Sequence, residues 1–109
     1  MITKEVKDKW LRLLRSSRYK HRKIKKALVE ERGGKLCYCA LGLFERAYGS
    51  KIVESKVSGG TVVSFDDAMF DLVLEDYHSA RIIEMNDVKD LSFREIADWV
   101  EENVRATGE

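Results

Sequence analysis

Two Gly-Gly dipeptides constrain the fold of this chain more than any other feature. Proline is absent from its 109 residues, so tight turns depend on Gly, Asn, Asp and Ser. Gly33-Gly34 and Gly59-Gly60 each lie between short segments that can form strands, and glycine supplies the positive φ that such turns need. The sequence therefore predicts two β-hairpins, which pair residues 26–31 with 35–38 and residues 51–57 with 61–65.

Apolar residues at helical spacing predict a helix near each end of the chain. Val6, Trp10 and Leu14 belong to a stripe that predicts a helix over residues 3–16, with Thr3 as its N-cap. Ser92-Phe93-Arg94-Glu95 is a capping box, in which Ser92 and Glu95 satisfy each other's backbone N–H groups. A final helix is therefore expected to begin at this box and to end near residue 104.

The middle of the chain gives weaker signals for three further elements. A short buried helix is expected from Cys39 to Tyr48, with Gly49 as its C-cap. Asp66 or Asp67 is expected to cap another helix that continues to about Glu75. Residues 80–85 are predicted to form a strand, closed by a turn at 86–87.

These elements predict a single α+β domain over residues 1–109. Its expected form is a small antiparallel sheet, made of two hairpins plus a further strand, packed with three to four helices. Residues 105–109 are expected to fray. No apolar run approaches the roughly 20 residues of a membrane span, and the N-terminus lacks the apolar region of a signal peptide. These patterns predict a cytoplasmic protein without a membrane partner.

Charge is divided by position along the chain. Residues 1–35 hold thirteen Lys and Arg against four Asp and Glu, although the whole chain has a net charge of only +1. The most basic part is the segment 18–26, which we call the basic tract. It could bind phosphates or an acidic protein, or it could be a solvated face that pairs with acidic residues elsewhere in the fold. The candidate binding residues are Arg18, Tyr19, Lys20, Arg22, Lys23, Lys25 and Lys26.

Other groups give weaker chemical signals. Cys39, or its neighbour Cys37, could act as a nucleophile with His78 and Asp87, although buried structural cysteine is the commoner case. The spacing of the two cysteines does not match a zinc knuckle, so we predict no metal and no cofactor. Asn86 and Asp87 are secondary contact candidates, because they lie in a short polar loop.

Three stretches resemble a family of small bacteriophage proteins of unknown function. Residues 36–43 (LCYCALGL) are similar to that family's "Phe-Cys-Cys-Leu-Gly-Val-Leu" stretch. Residues 9–19 (KWLRLLRSSRY) and the final segment, with Met85-Asn86-Asp87 and residues 92–101 (SFREIADWVE), match its opening and closing motifs in the same order. The basic tract is more basic than is usual in this family, and the segment 50–80 is shorter. The resemblance implies a phage origin and location in the host cytoplasm.

The resulting hypothesis is a non-enzymatic phage accessory protein that binds a host component. Its partner would be a host protein or a small nucleotide, and its use would be interference with a host process or defence system. The alternative is a nucleic-acid-binding protein that uses the basic tract. A cysteine hydrolase and a virion structural protein are lower alternatives. A homo-oligomer has only base-rate support.

Overall fold

A computed structural model describes residues 1–109 and shows an α+β fold. The helices are α1 (Lys4–Arg15), α2 (Ala40–Tyr48), α3 (Phe70–Val73), α4 (Asp76–Ile83) and α5 (Phe93–Asn103). The strands are β1 (Val29–Arg32), β2 (Lys35–Tyr38), β3 (Ile52–Val57) and β4 (Gly60–Phe65). A short 3-10 turn covers Ser17–Tyr19, and a π-helical segment covers Glu84–Val88.

Local capping signals place the helix ends where the sequence predicts them. Thr3 caps α1 through a hydrogen bond from the Val6 N–H to its hydroxyl oxygen. Both bonds of the predicted capping box are present at Ser92 and begin α5. Gly49 ends α2 with φ of 99°, a left-handed conformation that favours glycine. These predictions are confirmed. They could be made from the sequence because each cap depends on residues within one helical turn.

Both predicted hairpins form, but they do not join into one sheet. β1 pairs with β2 around Gly33-Gly34, and β3 pairs with β4 around Gly59-Gly60, each in antiparallel register. The two hairpins form separate two-stranded sheets. The predicted α+β class is confirmed, whereas the single sheet with a further strand is wrong.

The predicted strand at residues 80–85 is helical. Ser79, Ile82 and Met85 are buried at helical spacing, while Ile83 between them is exposed. Ala, Arg, Glu and Met in this stretch all favour helices, and their contribution outweighs that of the two β-branched isoleucines. The predicted turn at 86–87 lies inside the π-helical segment that continues α4.

The helix predicted from Asp66 or Asp67 to Glu75 is reduced to the four residues of α3. Glu45 on α2 explains its late start, because this fully buried carboxylate accepts hydrogen bonds from the Met69 and Phe70 N–H groups at 2.8 Å. A distant side chain thus does the capping expected of Asp66 or Asp67. Leu74 ends α3 because it is extended and buried.

The core lies where α1, α2 and α5 meet. Trp10 is fully buried, with its ring edge-on to Phe44 at a centroid distance of 5.2 Å. Its indole N–H donates to the Ala40 carbonyl at 3.0 Å, so the polar atom of this large side chain is satisfied. None of the helices has the length and apolar character needed to span a membrane.

The C-terminal residues contact the start of the chain. Ala106 is buried, and the Thr107 N–H donates to the Ile2 carbonyl at 2.9 Å. The Lys7 ammonium, almost fully buried, bonds to the Glu109 carboxylate at 2.8 Å. These contacts oppose the fraying expected for residues 105–109.

Candidate anion-binding groove

The basic tract is fixed against the first hairpin. The Tyr38 N–H donates to the Arg22 carbonyl at 2.9 Å, and the Ile24 N–H donates to the Tyr38 carbonyl at 3.0 Å. Before this bridge, Ser16 accepts a hydrogen bond from the Arg18 N–H and starts the 3-10 turn. The tract therefore has a defined path beside β2, which fixes the positions from which its side chains project.

A groove of about 400 Å³ lies between the tract and the hairpin. We call it the cationic groove, because five Lys or Arg side chains line it and no carboxylate does. The tract and the turn before it supply six of the lining residues, and the hairpin supplies the other three. The lining residues are Ser17, Arg18, His21, Arg22, Lys23, Ile24, Arg32, Lys35 and Cys37.

Two cations of the groove face each other across the hairpin. Arg32 and Lys35 are cross-strand partners at the Gly-Gly turn. Like charges directly opposite on paired strands are destabilising. Arg32 also bonds to Glu30 at 2.6 Å, but Lys35 has no ion pair. An anion bound between the hairpin and the tract would relieve this repulsion.

Tyr19, one of the candidate binding residues, is not available to stack on a base. Its side chain is only 4% exposed, and its ring packs edge-on against Tyr38 at a centroid distance of 5.8 Å. The guanidinium groups of Arg18 and Arg46 lie 5.8 and 5.9 Å from the centroid of the same ring. Tyr19 therefore acts as a buried support for Arg18 at the edge of the groove.

Part of the tract is neutralised within the fold. Lys23 and Lys25 approach the Asp90 carboxylate at 2.6 and 3.5 Å. Lys23 also donates to the Asn86 carbonyl at 3.2 Å. The hydrogen bond and charge of Lys23, helped by Lys25, lower the pKa of Asp90. The alternative to ligand binding, in which the tract pairs with acidic residues elsewhere in the fold, therefore applies to Lys23 and Lys25.

The remaining tract residues point elsewhere. Lys20 is exposed and does not line the groove. Lys26 lines a separate apolar pocket, and its N–H donates to the Asp87 carboxylate at 3.2 Å. Of the seven candidate residues, Arg18, Arg22 and Lys23 are the ones that the structure brings together at the groove.

The secondary candidates Asn86 and Asp87 are engaged inside the protein. The Asn86 side chain is buried, accepts from the Ala40 N–H at 3.1 Å and donates to the Ile24 carbonyl at 2.8 Å. Its amide also donates to one Asp87 oxygen at 2.8 Å. These bonds tie the tract to the start of α2, so Asn86 organises the site without being free to contact a ligand.

The structure does not assemble the Cys-His-Asp arrangement considered for a hydrolase. Cys39 is the N-cap of α2, and its sulfur accepts from the Gly42 N–H at 3.4 Å. Burial raises the pKa of this thiol, which disfavours the reactive thiolate. His78 packs against Trp99 and lines a different surface pocket from Cys39. No group of three or more His, Cys, Asp or Glu side chains is placed to hold a metal ion.

The sequence reasoning missed the contribution of the first hairpin. Arg32 and Lys35 are distant from the tract in sequence, yet both line the groove. The Gly33-Gly34 turn was a usable signal, because a two-residue hairpin loop makes its flanking residues cross-strand partners. The approach of this pair to the tract depends on the bridge between Lys23 and Tyr38, which has no local signature.

Comparisons with protein families, with characterised proteins and with solved structures find no significant match to this chain.

Proposed function

We propose that this protein binds, without catalysis, a small phosphate-bearing molecule of a bacterial host, such as a nucleotide, and acts by sequestering it. The observation that carries this proposal is the cationic groove, whose lining has five Lys or Arg side chains and no carboxylate. Three of these cations, Arg18, Arg22 and Lys35, have no ion pair within the fold. Arginine forks bind phosphate oxygens in pairs, and lysine adds a point charge. Ser17 adds a hydroxyl donor at the same surface.

The setting of this activity rests on sequence resemblance. The resemblance of residues 9–19, 36–43 and 92–101 to motifs of small bacteriophage proteins supports a role in a phage-infected host cytoplasm. Sequestration of a nucleotide would interfere there with host metabolism or with a defence system that signals through nucleotides. Nucleic-acid binding has less support, because Tyr19 is buried and His21 is the one aromatic side chain in the groove lining.

Calorimetric titration tests the proposal with ATP, adenosine and a single-stranded oligodeoxynucleotide as probes. We expect ATP to bind and adenosine not to bind, because the groove recognises phosphate. Arg22→Glu is expected to weaken ATP binding at least about tenfold, since a charge-assisted hydrogen bond contributes roughly 1.5–3 kcal/mol. Lys20→Glu makes the same change in net charge outside the groove and is the matched control.

Three results would reject nucleotide sequestration. Equal loss of affinity in both variants would show that net charge, and not the groove, attracts the ligand. An oligonucleotide that binds far more tightly than ATP, with a steep dependence on salt, would favour the nucleic-acid alternative. Absence of binding to ATP and to inorganic triphosphate at low salt would remove the proposed ligand class.

A further inference from the structure

A second pocket, separate from the cationic groove, lies beyond the end of the basic tract. Its volume is about 240 Å³, and residues of the segment before β1 and of α2, α3 and α4 line it. The pocket wall is mainly apolar. It consists chiefly of Leu28, Leu41, Phe70, Ile82 and Ile83. Pockets that bind small molecules combine such a wall with a few placed polar groups.

Two residues of opposite charge also line the pocket. Lys26 and Asp87 both line the pocket, but they do not form an ion pair with each other. The Lys26 ammonium makes no ion pair or hydrogen bond in the structure, so its three donors are free. The Asp87 oxygens each accept one internal hydrogen bond, from the Asn86 amide and from the Lys26 N–H, and each retains a lone pair.

Asn86 is the other polar side chain in the lining, and both of its amide N–H donors are already used. Its oxygen accepts from Ala40, and its amide donates both to Ile24 and to Asp87. Lys26 also holds a left-handed φ of 64°, a conformation that is strained for a non-glycine residue. The recognition groups of the pocket are therefore one cation and one anion beside an apolar interior.

We infer that this pocket binds a small zwitterion with an apolar body, namely an apolar α-amino acid. The ligand carboxylate pairs with the Lys26 ammonium, and the ligand ammonium bonds to the free lone pairs of Asp87. The apolar side chain of the ligand occupies the space between Leu41, Phe70 and Ile82. A simple fatty acid or a hydrophobic amine would leave one of the two charges at the pocket without a partner.

Amide chemical-shift titration tests this inference with L-phenylalanine, phenethylamine and 3-phenylpropanoate. The two analogues each lack one charged group of the amino acid. We expect L-phenylalanine to shift amides that line this pocket and to bind at least tenfold more tightly than either analogue, a difference of about 1.4 kcal/mol. If either analogue binds as tightly as the amino acid, or if none of the three binds, the inference is wrong.

Lys26→Gly provides the corresponding variant. Glycine keeps the N–H that bonds to Asp87 and accepts the left-handed φ without strain, so we expect the fold to be retained. The affinity for L-phenylalanine should fall at least tenfold to the level of phenethylamine, whose affinity should not change. Lys25→Ala, at an exposed neighbour outside the pocket, is the control. Unchanged L-phenylalanine binding in Lys26→Gly would overturn the assignment. ATP binding at the cationic groove is measured separately, so failure of one ligand does not imply failure of the other.

Discussion

Asn86 shows how one buried polar side chain can connect several segments of a small protein. It is only 1% exposed, and it joins the end of the basic tract, the start of α2 and the π-helical segment. Two of its bonds satisfy the Ala40 N–H and the Ile24 carbonyl, backbone groups that would otherwise be buried without a partner, which is costly. The side chain therefore fixes the wall shared by the tract and the apolar pocket.

Asn86→Ala is expected to destabilise the protein by about 3 kcal/mol, because it leaves the Ala40 N–H and the Ile24 carbonyl unpaired. Urea unfolding should show a lower midpoint with an unchanged slope. Asn103→Ala is the matched control, since that exposed amide makes one bond, to the Trp99 carbonyl. We expect the control to change stability by less than about 0.5 kcal/mol. Equal effects of the two variants would contradict the connecting role of Asn86.

At the scale of elements, α2 packs closely against the segment that leads into β1. Gly42 makes this approach possible, because a Cβ atom there would lie 1.8 Å from the Leu28 carbonyl oxygen. The same oxygen accepts a hydrogen bond from the Cys39 N–H at 3.3 Å. Close packing against this oxygen explains why glycine lies inside the helix, because backbone cannot rotate away as a side chain can.

Gly42→Ala should destabilise the protein even though alanine favours helices by about 1 kcal/mol over glycine. Overpacking typically costs 1–3 kcal/mol, and the shift needed here also disturbs the bond between Cys39 and Leu28. We expect a net loss of about 2 kcal/mol, seen as a lower thermal midpoint of the circular-dichroism signal. A midpoint equal to or above that of the wild type would show that α2 can move away from Leu28 without cost.

Elements set by local chemistry were predictable, and elements set by distant partners were not. The α5 capping box and the Gly-Gly turns act within a few residues, so their signals survive in the sequence alone. The start of α3 depends on Glu45, which is distant in sequence and satisfies the Met69 and Phe70 N–H groups. In residues 80–85 the helix formers and the adjacent isoleucines give conflicting local signals, and packing supports the helix, which buries Ile82 and exposes Ile83.

The candidate site was partly predictable for the same reason. The charge pattern located Arg18, Arg22 and Lys23, because clustered cations are visible in any linear sequence. It could not show that Lys23 and Lys25 both pair with Asp90, which the fold brings near. It also could not show that Tyr19 is buried, since an aromatic residue among cations has the same pattern whether it supports a groove or stacks on a ligand.

At the scale of the whole molecule, the basic N-terminal third is held against the acidic C-terminal end. Four cations of residues 1–35 pair with four carboxylates of residues 90–109. The pairs are Lys7 with Glu109, Arg15 with Asp98 and Glu101, and both Lys23 and Lys25 with Asp90. The charge division of the sequence is therefore partly compensated in three dimensions, and the cationic groove keeps three cations, Arg18, Arg22 and Lys35, without an ion pair.

Two of these carboxylates make the stability of the folded protein depend on pH. The hydrogen bonds from Lys23 to Asp90 and from Lys7 to Glu109 lower the pKa of each carboxyl group. The unfolded chain, with ordinary pKa values of about 3.9 for Asp and 4.3 for Glu, then binds more protons than the folded protein at acid pH. The stabilisation that these two ion pairs give the folded protein is complete above the pKa values of the unfolded chain. It is lost as the pH falls through the lower pKa values of the folded protein.

The double variant Asp90→Asn with Glu109→Gln is therefore expected to be less stable than the wild type near neutral pH. This difference in stability should shrink as the pH falls below about 4. Urea midpoints measured from about pH 6 to about pH 3 give both curves. The variant Asp67→Asn with Glu102→Gln removes two exposed carboxylates that make no ion pair, and its difference from the wild type should stay nearly constant. A constant difference for the first variant would show that these two carboxylates do not link the ends of the chain, whereas convergence in acid identifies the pairs that hold the basic third in place.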